Sequence, residues 1–408
     1  MAKMKITRRH FMGTAGAAAA TVLVVPRHVL GGPGRDAPSD TVTYALIGNG
    51  GRKDGGIGEL GKRKRIAVCD VDVKRIGGKP DNKTRYTDYR RLLERKDLDV
   101  VCISTPPHWH ALPCIHAAQA GKDIFCEKPM TKFIAEGRAV ADAVKRYGVV
   151  FQIGTFTRFN NAGKKNHIEN HQIIKHGLLG DLTGTVAMAG SRNRIGKLAL
   201  PRRDVPDNLD YDMWLGPAPY KPYHPARVHY SNRFYWDYEG GDLTNFGAHS
   251  FDPLQWTFAK DDTSPVSIEP HAPWPQHPDA VCKFGWVELT YADGLKIIIT
   301  GGSSGAKYNR PRKRSMVSAK DLDDDGRVKL AALAPPPKLV RFGQAVRTRQ
   351  QAGGGAESSH RVSTALNLAN IAIRMGRTIH YDPVKEQIIG DDQANRMVNI
   401  PMRAPWHL

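Results

Sequence analysis

A glycine-rich turn follows the first apolar run of the chain and could hold a pyrophosphate. Val42 to Ile47 is mostly apolar, and Gly48-Asn49-Gly50-Gly51 comes directly after it. In a strand-turn-helix unit, glycines let the backbone approach a phosphate closely, and the next helix N-terminus offers unpaired N–H groups. The pattern predicts a dinucleotide-binding turn, with Lys53 at the usual third glycine position and an ordinary glycine turn as the alternative.

Asp70 ends the second apolar run, Ile66 to Cys69, at the distance from the glycines that is typical of ribose-binding carboxylates. A carboxylate there accepts hydrogen bonds from the adenosine ribose hydroxyls and repels a 2′-phosphate, which favours NAD over NADP. Lys74 and Arg75 lie close enough in sequence to accept a phosphate, so NADP stays open.

The elements that must position these residues alternate between strands and helices. Strands are predicted at Val42 to Ile47, Ile66 to Cys69, Val100 to Ser104, Ile124 to Cys126 and Val149 to Ile153. Helices are predicted at Asp88 to Arg95 with Thr87 as cap, at Leu112 to Ala120, and at Ile134 to Arg146. The alternation predicts a parallel, doubly wound sheet covered by helices, an α/β domain over residues 41–155.

After Gly154 the sequence changes character. Aromatic, proline and histidine residues crowd the loops of 200–240, Trp286 to Thr300 alternates as a β-hairpin does, and a hydrophobic helix is predicted at Thr364 to Met375. We expect a second, α+β domain over residues 156–408 with a mostly antiparallel open sheet, and a surface insertion at 319–340.

The first residues are typical of an export signal. Thr7-Arg8-Arg9-His10-Phe11-Met12 fits the twin-arginine pattern, and the apolar stretch Gly13 to Val25 is too short for a permanent membrane span. We expect a signal peptide and linker over residues 1–35 and folded export to the periplasm by the twin-arginine machinery. The protein would stay at the membrane only through an uncleaved signal.

Composition and charge exclude some function classes. The chain has 408 residues, with 60 Lys or Arg against 40 Asp or Glu and a formal net charge of +20. Its basic residues are scattered in short runs, without a zinc-finger, basic-zipper or aromatic RNA-binding pattern, so nucleic acid is not an expected partner. The five cysteines lack metal or CxxC spacing, which suits a protein that folds in the cytoplasm before export.

Several motifs follow one another in a characteristic order. They are Ser104 to His110, Phe125 to Pro129, Gly154 to Arg158, Trp214 to Pro219, Gly240 to His249, and Asp382 to Trp406. Together they resemble the glucose-fructose oxidoreductase/inositol dehydrogenase (Gfo/Idh/MocA) family, in its exported branch, over nearly the whole chain after the leader. The resemblance implies a Rossmann domain, then an α/β domain whose open sheet often forms a dimer or tetramer interface, with substrate between the domains.

The resemblance also implies roles for three side chains. Lys128 would point at the reacting carbon and stabilise an alkoxide, and His249 would be the catalytic base that takes the hydroxyl proton. Inositol-dehydrogenase-like members carry an aspartate where this chain has Asn245. An amide cannot take a proton, so Asn245 should position the substrate.

Further site residues are expected around these three. The expected cofactor-binding residues are Gly48, Asn49, Gly50, Gly51, Arg52, Asp70, Thr105, Pro106, His108, His110, Glu127 and Lys128. His108 and His110 have a metal-like spacing but no carboxylate cluster, so we expect a turn lining the nicotinamide pocket and no metal. The expected substrate contacts are Arg158, Tyr223, His224, Tyr235, Trp236 and Asp242, with core packing of the aromatic residues and a surface place for Arg158 as alternatives.

These interpretations predict an NAD(P)-dependent oxidoreductase acting on CH-OH groups of a sugar, glycoside or related polyol. The periplasm offers no known pool of free NAD, so an exported enzyme should retain its cofactor tightly and regenerate it in place. A redox-neutral NAD-dependent glycosidase or lyase working through a keto sugar, and a catalytically silent binding module, are the alternatives.

Overall fold

The computed structural model describes residues 41–52, 55–272, 275–302 and 316–408. The predicted signal peptide and Lys53 therefore lie outside the described residues. Two six-stranded sheets organise the described part of the chain. Within that part, no helix combines the length and the apolar character needed to cross a membrane.

The first sheet has the strand order β3-β2-β1-β4-β5-β6. Its strands are β1 Val42–Ile47, β2 Arg63–Cys69, β3 Arg85–Tyr86, β4 Val100–Ile103, β5 Asp123–Cys126 and β6 Phe151–Ile153. The pairs β1–β4, β4–β5, β5–β6 and β2–β3 are parallel, which confirms the predicted doubly wound sheet. Its central strands β4 and β5 are fully buried, as their uninterrupted apolar character requires.

Three α-helices connect these strands, at Tyr89–Leu93, Ala111–Gln119 and Ile134–Tyr147. The first is shorter than predicted, and its cap is Asp88 rather than Thr87, because the Asp88 carboxylate accepts the Arg90 N–H at 2.9 Å. The turn after β1 leads into a short 3-10 helix, Gly55–Leu60.

The second sheet has the order β12-β11-β8-β9-β10-β7. Its strands are β7 Val186–Gly190, β8 Ser267–His271, β9 Trp286–Thr290, β10 Lys296–Thr300, β11 Ile379–Asp382 and β12 Gln387–Ile389. β7 pairs with β10 in parallel and the other neighbours are antiparallel, so the expected mostly antiparallel sheet and the β9–β10 hairpin are confirmed.

Most of the α-helices in the described part of the chain follow β6. They are Thr157–Ala162, Lys165–Lys175, Tyr211–Leu215, Gly241–Asn245, Gly247–Thr257, Asp324–Ala332, Phe342–Thr348, Ala356–Met375 and Asp392–Asn395. The long helix begins at Ala356, well before the predicted Thr364, because its first turns carry Ser, His and Arg residues that hide the apolar period. The expected surface insertion contains Asp324–Ala332, whose residues are mostly exposed.

Separate apolar clusters hold the two sheets. The larger one packs Ala356–Met375 against the second sheet, and another fills the space between the first sheet and its helices. All five cysteines are free, and four of them are buried. A third cluster consists mainly of aromatic residues packed around Trp214 and Tyr238. It contains Tyr223 and Tyr235, two of the predicted substrate contacts.

Candidate active site

A cleft of about 720 Å³ lies at the carboxyl ends of β1, β2, β4 and β5. The loops after these four strands supply the glycine turn, Asp70, Thr105 and Lys128 to its lining. The opposite wall comes from the second half of the chain, mainly from residues 229–249. Ligands of open α/β sheets bind at this edge, so the topology itself marks the cleft as the functional site.

The glycine turn packs tightly against the end of β4. Gly48 has φ +86°, and a Cβ on it would lie 2.7 Å from the carbonyl carbon of Ser104 and from the backbone nitrogen of Thr105. Its N–H donates to the Cys69 carbonyl at 2.8 Å. Apart from Gly51 itself and its chain neighbours, no atom of the described residues lies within 4 Å of a Cβ added at Gly51, so that side of the turn is open among these residues.

The Asp70 carboxylate lies beside this turn, as predicted. Its Oδ2 accepts the backbone N–H of Asn49 at 2.8 Å, and its Oδ1 accepts that of Asp72 at 3.0 Å. Burial raises the pKa of Asp70, while these two N–H groups and the charge of Arg75 act against the rise. Arg75 itself pairs with Asp72, at 3.4 Å between Nε and Oδ2.

Other predicted cofactor contacts also line the cleft. They are Gly50, Gly51, Arg52, Thr105, Pro106, Glu127 and Lys128. Arg52 Nε lies 3.6 Å from Glu127 Oε1, and burial raises the pKa of that carboxylate. The buried hydroxyl of Thr105 has no hydrogen-bond partner among the described residues. An open-sided glycine turn, a carboxylate at the end of β2 and an unpartnered hydroxyl in one cleft fit a dinucleotide.

Lys128 lies at the centre of a polar network that crosses the cleft. Its Nζ donates to Asn245 Oδ1 at 3.0 Å, and Arg233 Nη1 donates to the same oxygen at 3.2 Å. The Asn245 amide nitrogen donates to Glu239 Oε1 at 2.8 Å. Two cations, an amide and a carboxylate therefore form one connected group where β5 meets the second half of the chain.

His249 lines the same cleft as Lys128. Burial, and then the positive charges of Lys128 and Arg52, lower the pKa of His249 to about 4. The imidazole is therefore neutral at pH 7 and can accept a proton. Its backbone carbonyl accepts the Thr157 hydroxyl at 2.7 Å, which anchors the first turn of Gly247–Thr257.

The two histidines of the His-x-His segment do not line the cleft, which corrects their predicted contact with the cofactor. His108 Nε2 lies 3.0 Å from the Trp214 carbonyl oxygen, and burial lowers the pKa of His108 to about 3. His110 lies between two backbone carbonyls, those of Thr105 and Pro129, each at 2.8 Å. It therefore braces the loops after β4 and β5. No group of three or more potential ligands able to hold a metal occurs among the described residues.

Arg158 is neither a substrate contact nor a surface residue. Its side chain is fully buried and pairs with Asp252, and its Nη1 lies 2.6 Å from Asp261 Oδ2. A buried guanidinium needs such partners, because an uncompensated charge in the interior is costly. The predicted role of Arg158 in the pocket wall is therefore corrected to an internal ion pair.

The predicted aromatic substrate contacts belong to the packed interior instead. Tyr235 lies beneath the guanidinium of Arg227 at 4.9 Å, and Trp236 Nε1 donates to the His277 carbonyl at 3.0 Å. Tyr223 packs edge-on against the Tyr211 ring. Burial of an aromatic ring in the packed interior is more favourable in free energy than its exposure in a solvated cleft, which explains why these rings lie in the interior.

His224 and Asp242 lie away from the cleft as well. His224 Nδ1 accepts the backbone N–H of Ala226 at 3.0 Å, within its own loop. Asp242 is buried and pairs with Arg194, with 2.7 Å between Oδ1 and Nη2. Asp242 therefore holds a neighbouring loop and makes no direct contribution to the lining of the cleft.

Sequence reasoning missed several residues of the cleft wall. Those from the second half of the chain are Met213, Trp214, His229, Tyr230, Asn232, Arg233, Glu239 and Phe246. Glu239 is 2% exposed, and burial raises its pKa to about 7. The position of Glu239 directly before Gly240-Gly241 could have indicated a site residue. The sequence alone, however, does not show that this carboxylate is buried.

A parallel sheet, a mostly antiparallel sheet and a cleft fitted to a dinucleotide define a two-part NAD-binding class of protein. Residues 56–155 match the description "Oxidoreductase family, NAD-binding Rossmann fold", and residues 166–408 match "Oxidoreductase family, C-terminal alpha/beta domain", both of Gfo/Idh/MocA. The chain belongs to the Gfo/Idh/MocA oxidoreductase family.

Similar curated proteins include enzymes of sugar chemistry. A glycosyl hydrolase family 109 protein of Shewanella pealeana is 33% identical over 173 residues, 35% of this chain and 38% of that protein. A levoglucosan dehydrogenase of Pseudarthrobacter phenanthrenivorans is 43% identical over 96 residues, 22% of this chain and 24% of that protein. The matches thus span well under half the length of each relative.

Solved structures of low sequence identity share the fold. The WlbA dehydrogenase from Bordetella pertussis, in complex with NADH and UDP-GlcNAcA, has a TM-score of 0.53 at 15% identity, over 84% of this chain and 99% of that one. A levoglucosan dehydrogenase in complex with NADH and levoglucosan has a TM-score of 0.51 at 16% identity, over 83% and 99%. At these identities the likeness concerns the fold.

Proposed function

We propose that the chain is an NAD-dependent oxidoreductase that oxidises a hydroxyl group of a sugar, glycoside or related polyol. The observation that carries the proposal is the meeting of Lys128, Asn245 and His249 in the cleft that also contains the glycine turn. A dinucleotide site, a neutral imidazole and an ammonium group are the three parts that alcohol oxidation by hydride transfer needs.

The chain's own residues would handle the proton and the charge of the reaction. The nicotinamide, when bound, supplies a hydride acceptor for the substrate carbon. The neutral His249 accepts the proton of the substrate hydroxyl, and the Lys128 ammonium stabilises the negative charge that develops on the same oxygen. Asn245 holds the ammonium by its amide oxygen, so it acts on the substrate's surroundings without exchanging a proton.

The cofactor would lie over the turn Gly48–Gly51 with its ribose against Asp70. The Asp70 carboxylate disfavours a 2′-phosphate, and Arg75, a potential phosphate partner, is paired with Asp72. The first observation supports NAD over NADP, whereas Arg75 pairs through Nε only and still lines the cleft. We also propose tight retention of the cofactor, export by the twin-arginine route and assembly into a homo-oligomer, on the grounds of the Thr7 to Met12 motif and the family resemblance.

A redox-neutral glycosidase is the second candidate. The similarity to a glycosyl hydrolase family 109 protein favours it. Such an enzyme would use the same His249 and Lys128 for proton transfer and charge stabilisation, and the cofactor would end each cycle in its starting state. The two candidates therefore differ in net redox change and not in the residues of the cleft.

The test begins with the purified full chain. Denaturation should release NAD or NADH, identified by chromatography against standards, and a panel of free sugars, polyols and aryl glycosides is then tested at 340 nm. Sugar-dependent formation of NADH supports the dehydrogenase. Aryl glycoside cleavage without net NADH, abolished in Lys128→Met, supports the glycosidase. A protein that neither carries nor binds NAD(H) contradicts both.

A further inference from the structure

A buried carboxylate that the proposed reaction has not used lies next to the catalytic lysine. Glu239 is 2% exposed, lines the cleft, and accepts the Asn245 amide N–H at 2.8 Å. A buried carboxylate is costly unless hydrogen bonds and opposite charges compensate it. The compensation here comes from Asn245, Lys128 and Arg233, all of which line the cleft.

Glu239 fixes which way the Asn245 amide points. An ionised carboxylate only accepts hydrogen bonds, so it selects the NH₂ end of the amide. The amide oxygen must then face the opposite way, where it accepts from Lys128 Nζ at 3.0 Å and from Arg233 Nη1 at 3.2 Å. The amide thus transmits the orientation of the carboxylate to the ammonium.

The charges act in the same direction as the hydrogen bonds. Burial lowers the pKa of Lys128, and the negative charge of Glu239 is the largest influence that raises it. Lys128 and Arg233 in turn hold down the pKa of Glu239, which burial raises to about 7. The other charged or titratable groups that act on this pair are Arg52, His110, Glu127, Lys132, Asp242 and His249.

We propose that Glu239 is a positioning residue that, through Asn245, aims the Lys128 side chain at the substrate oxygen and keeps it an ammonium. The Glu239 carboxylate lies one hydrogen bond away from Lys128's partner Asn245. The inference rests on the proposed function because that function gives Lys128 its role at the substrate oxygen. The effect of Glu239 on the pKa of Lys128 can be measured without a substrate.

The test is a direct titration of Lys128 in the full chain. Brief acetylation with acetic anhydride over a pH series, followed by mass spectrometry of the peptide that contains Lys128, gives the pKa of this amine. Glu239→Gln should lower it, because an attractive charge is removed. The double variant Glu239→Gln with Asn245→Asp returns a carboxylate to the network and should restore the pKa. Glu94→Gln, a change on an exposed side chain, is the matched control and should have no effect.

Activity provides the second readout once a substrate is found. Glu239→Gln should lower kcat on the order of 10²-fold, because Lys128 loses its fixed direction. In the pH profile of kcat, the fall on the alkaline side should move to lower pH in Glu239→Gln. The double variant should recover both the value of kcat and the position of this fall. The titration of Lys128 needs no turnover. Absence of activity on every sugar of the panel would therefore count against the proposed function, while the pKa of Lys128 would still test the role of Glu239.

Two results would overturn the inference. One is an unchanged Lys128 pKa in a folded Glu239→Gln protein. The other is a double variant that folds and stays as impaired as Glu239→Gln. If Glu239→Gln does not fold, Glu239→Asp decides: it moves the carboxylate one methylene away from Asn245 and Lys128 and should lower the pKa of the lysine, and an equal or higher value refutes the electrostatic coupling.

Discussion

Replacement of Gly48 by alanine tests the tight turn on which the cofactor site depends. Gly48 has φ +86°, and an added Cβ would lie 2.7 Å from backbone atoms of Ser104 and Thr105. The left-handed backbone costs an L-residue about 1–2 kcal/mol, and an extra methyl group in a packed place adds about 1–3 kcal/mol. We therefore expect Gly48→Ala to lower the free energy of unfolding by about 2–5 kcal/mol.

The matched control is Gly51→Ala in the same turn. Beyond its chain neighbours, no atom in the described part of the chain lies within 4 Å of a Cβ added at Gly51, so the free energy of unfolding of Gly51→Ala should stay within about 0.5 kcal/mol of the parent. Urea unfolding followed by far-UV circular dichroism measures both variants under identical conditions. Because relief of the clash must displace Thr105, Gly48→Ala should also bind NADH more weakly. Equal stability of the two variants would refute the account of how the turn packs against β4.

Three further predictions concern the cleft and its surroundings. His249→Ala should lower kcat by about 10²- to 10⁴-fold and retain the affinity for NADH. Because the pKa of His249 is lowered to about 4, kcat/KM of the parent protein should fall only in acid well below pH 6.5. A fall centred at pH 6.5 would contradict the lowered pKa. Asp70→Ser should raise affinity for NADPH relative to NADH in equilibrium titrations, and an unchanged ratio would remove Asp70 from the ribose site. Arg158→Met should lower the free energy of unfolding, measured in urea, by about 3–5 kcal/mol because it leaves Asp252 buried without a cation. The affinity for NADH should stay unchanged. Unchanged stability with a weakened affinity would show that Arg158 contacts the ligand.

The fold of the first half could be predicted because its strands are short apolar runs between turn residues. β1, β4 and β5 are found where their residues predict them. The two-residue strand β3, Arg85–Tyr86, was missed because so short and polar a segment carries no periodic signal. The start of Ala356–Met375 was missed because its first turns bury polar side chains such as His360.

The site was predictable where residues sit at strand ends, and unpredictable where packing chooses among neighbours. The glycine turn, Asp70 and Lys128 follow directly on parallel strands, so topology brings them to one edge. In the aromatic loops, His229, Tyr230, Asn232 and Arg233 line the cleft, while Tyr235 and Trp236 enter the interior. Neighbours of similar chemistry take opposite environments there, and only the complete fold makes that choice.

The central claim is that the cleft holds a nicotinamide dinucleotide between the glycine turn and Lys128. Trp109 and Trp214 both line this cleft, so they are placed to transfer excitation to a bound dihydronicotinamide. After removal of any co-purified nucleotide, titration with NADH should quench tryptophan emission saturably and sensitise NADH emission, and excess NAD should reverse both effects. Absence of saturable quenching and of sensitised emission, in a protein shown to be folded, would contradict the account.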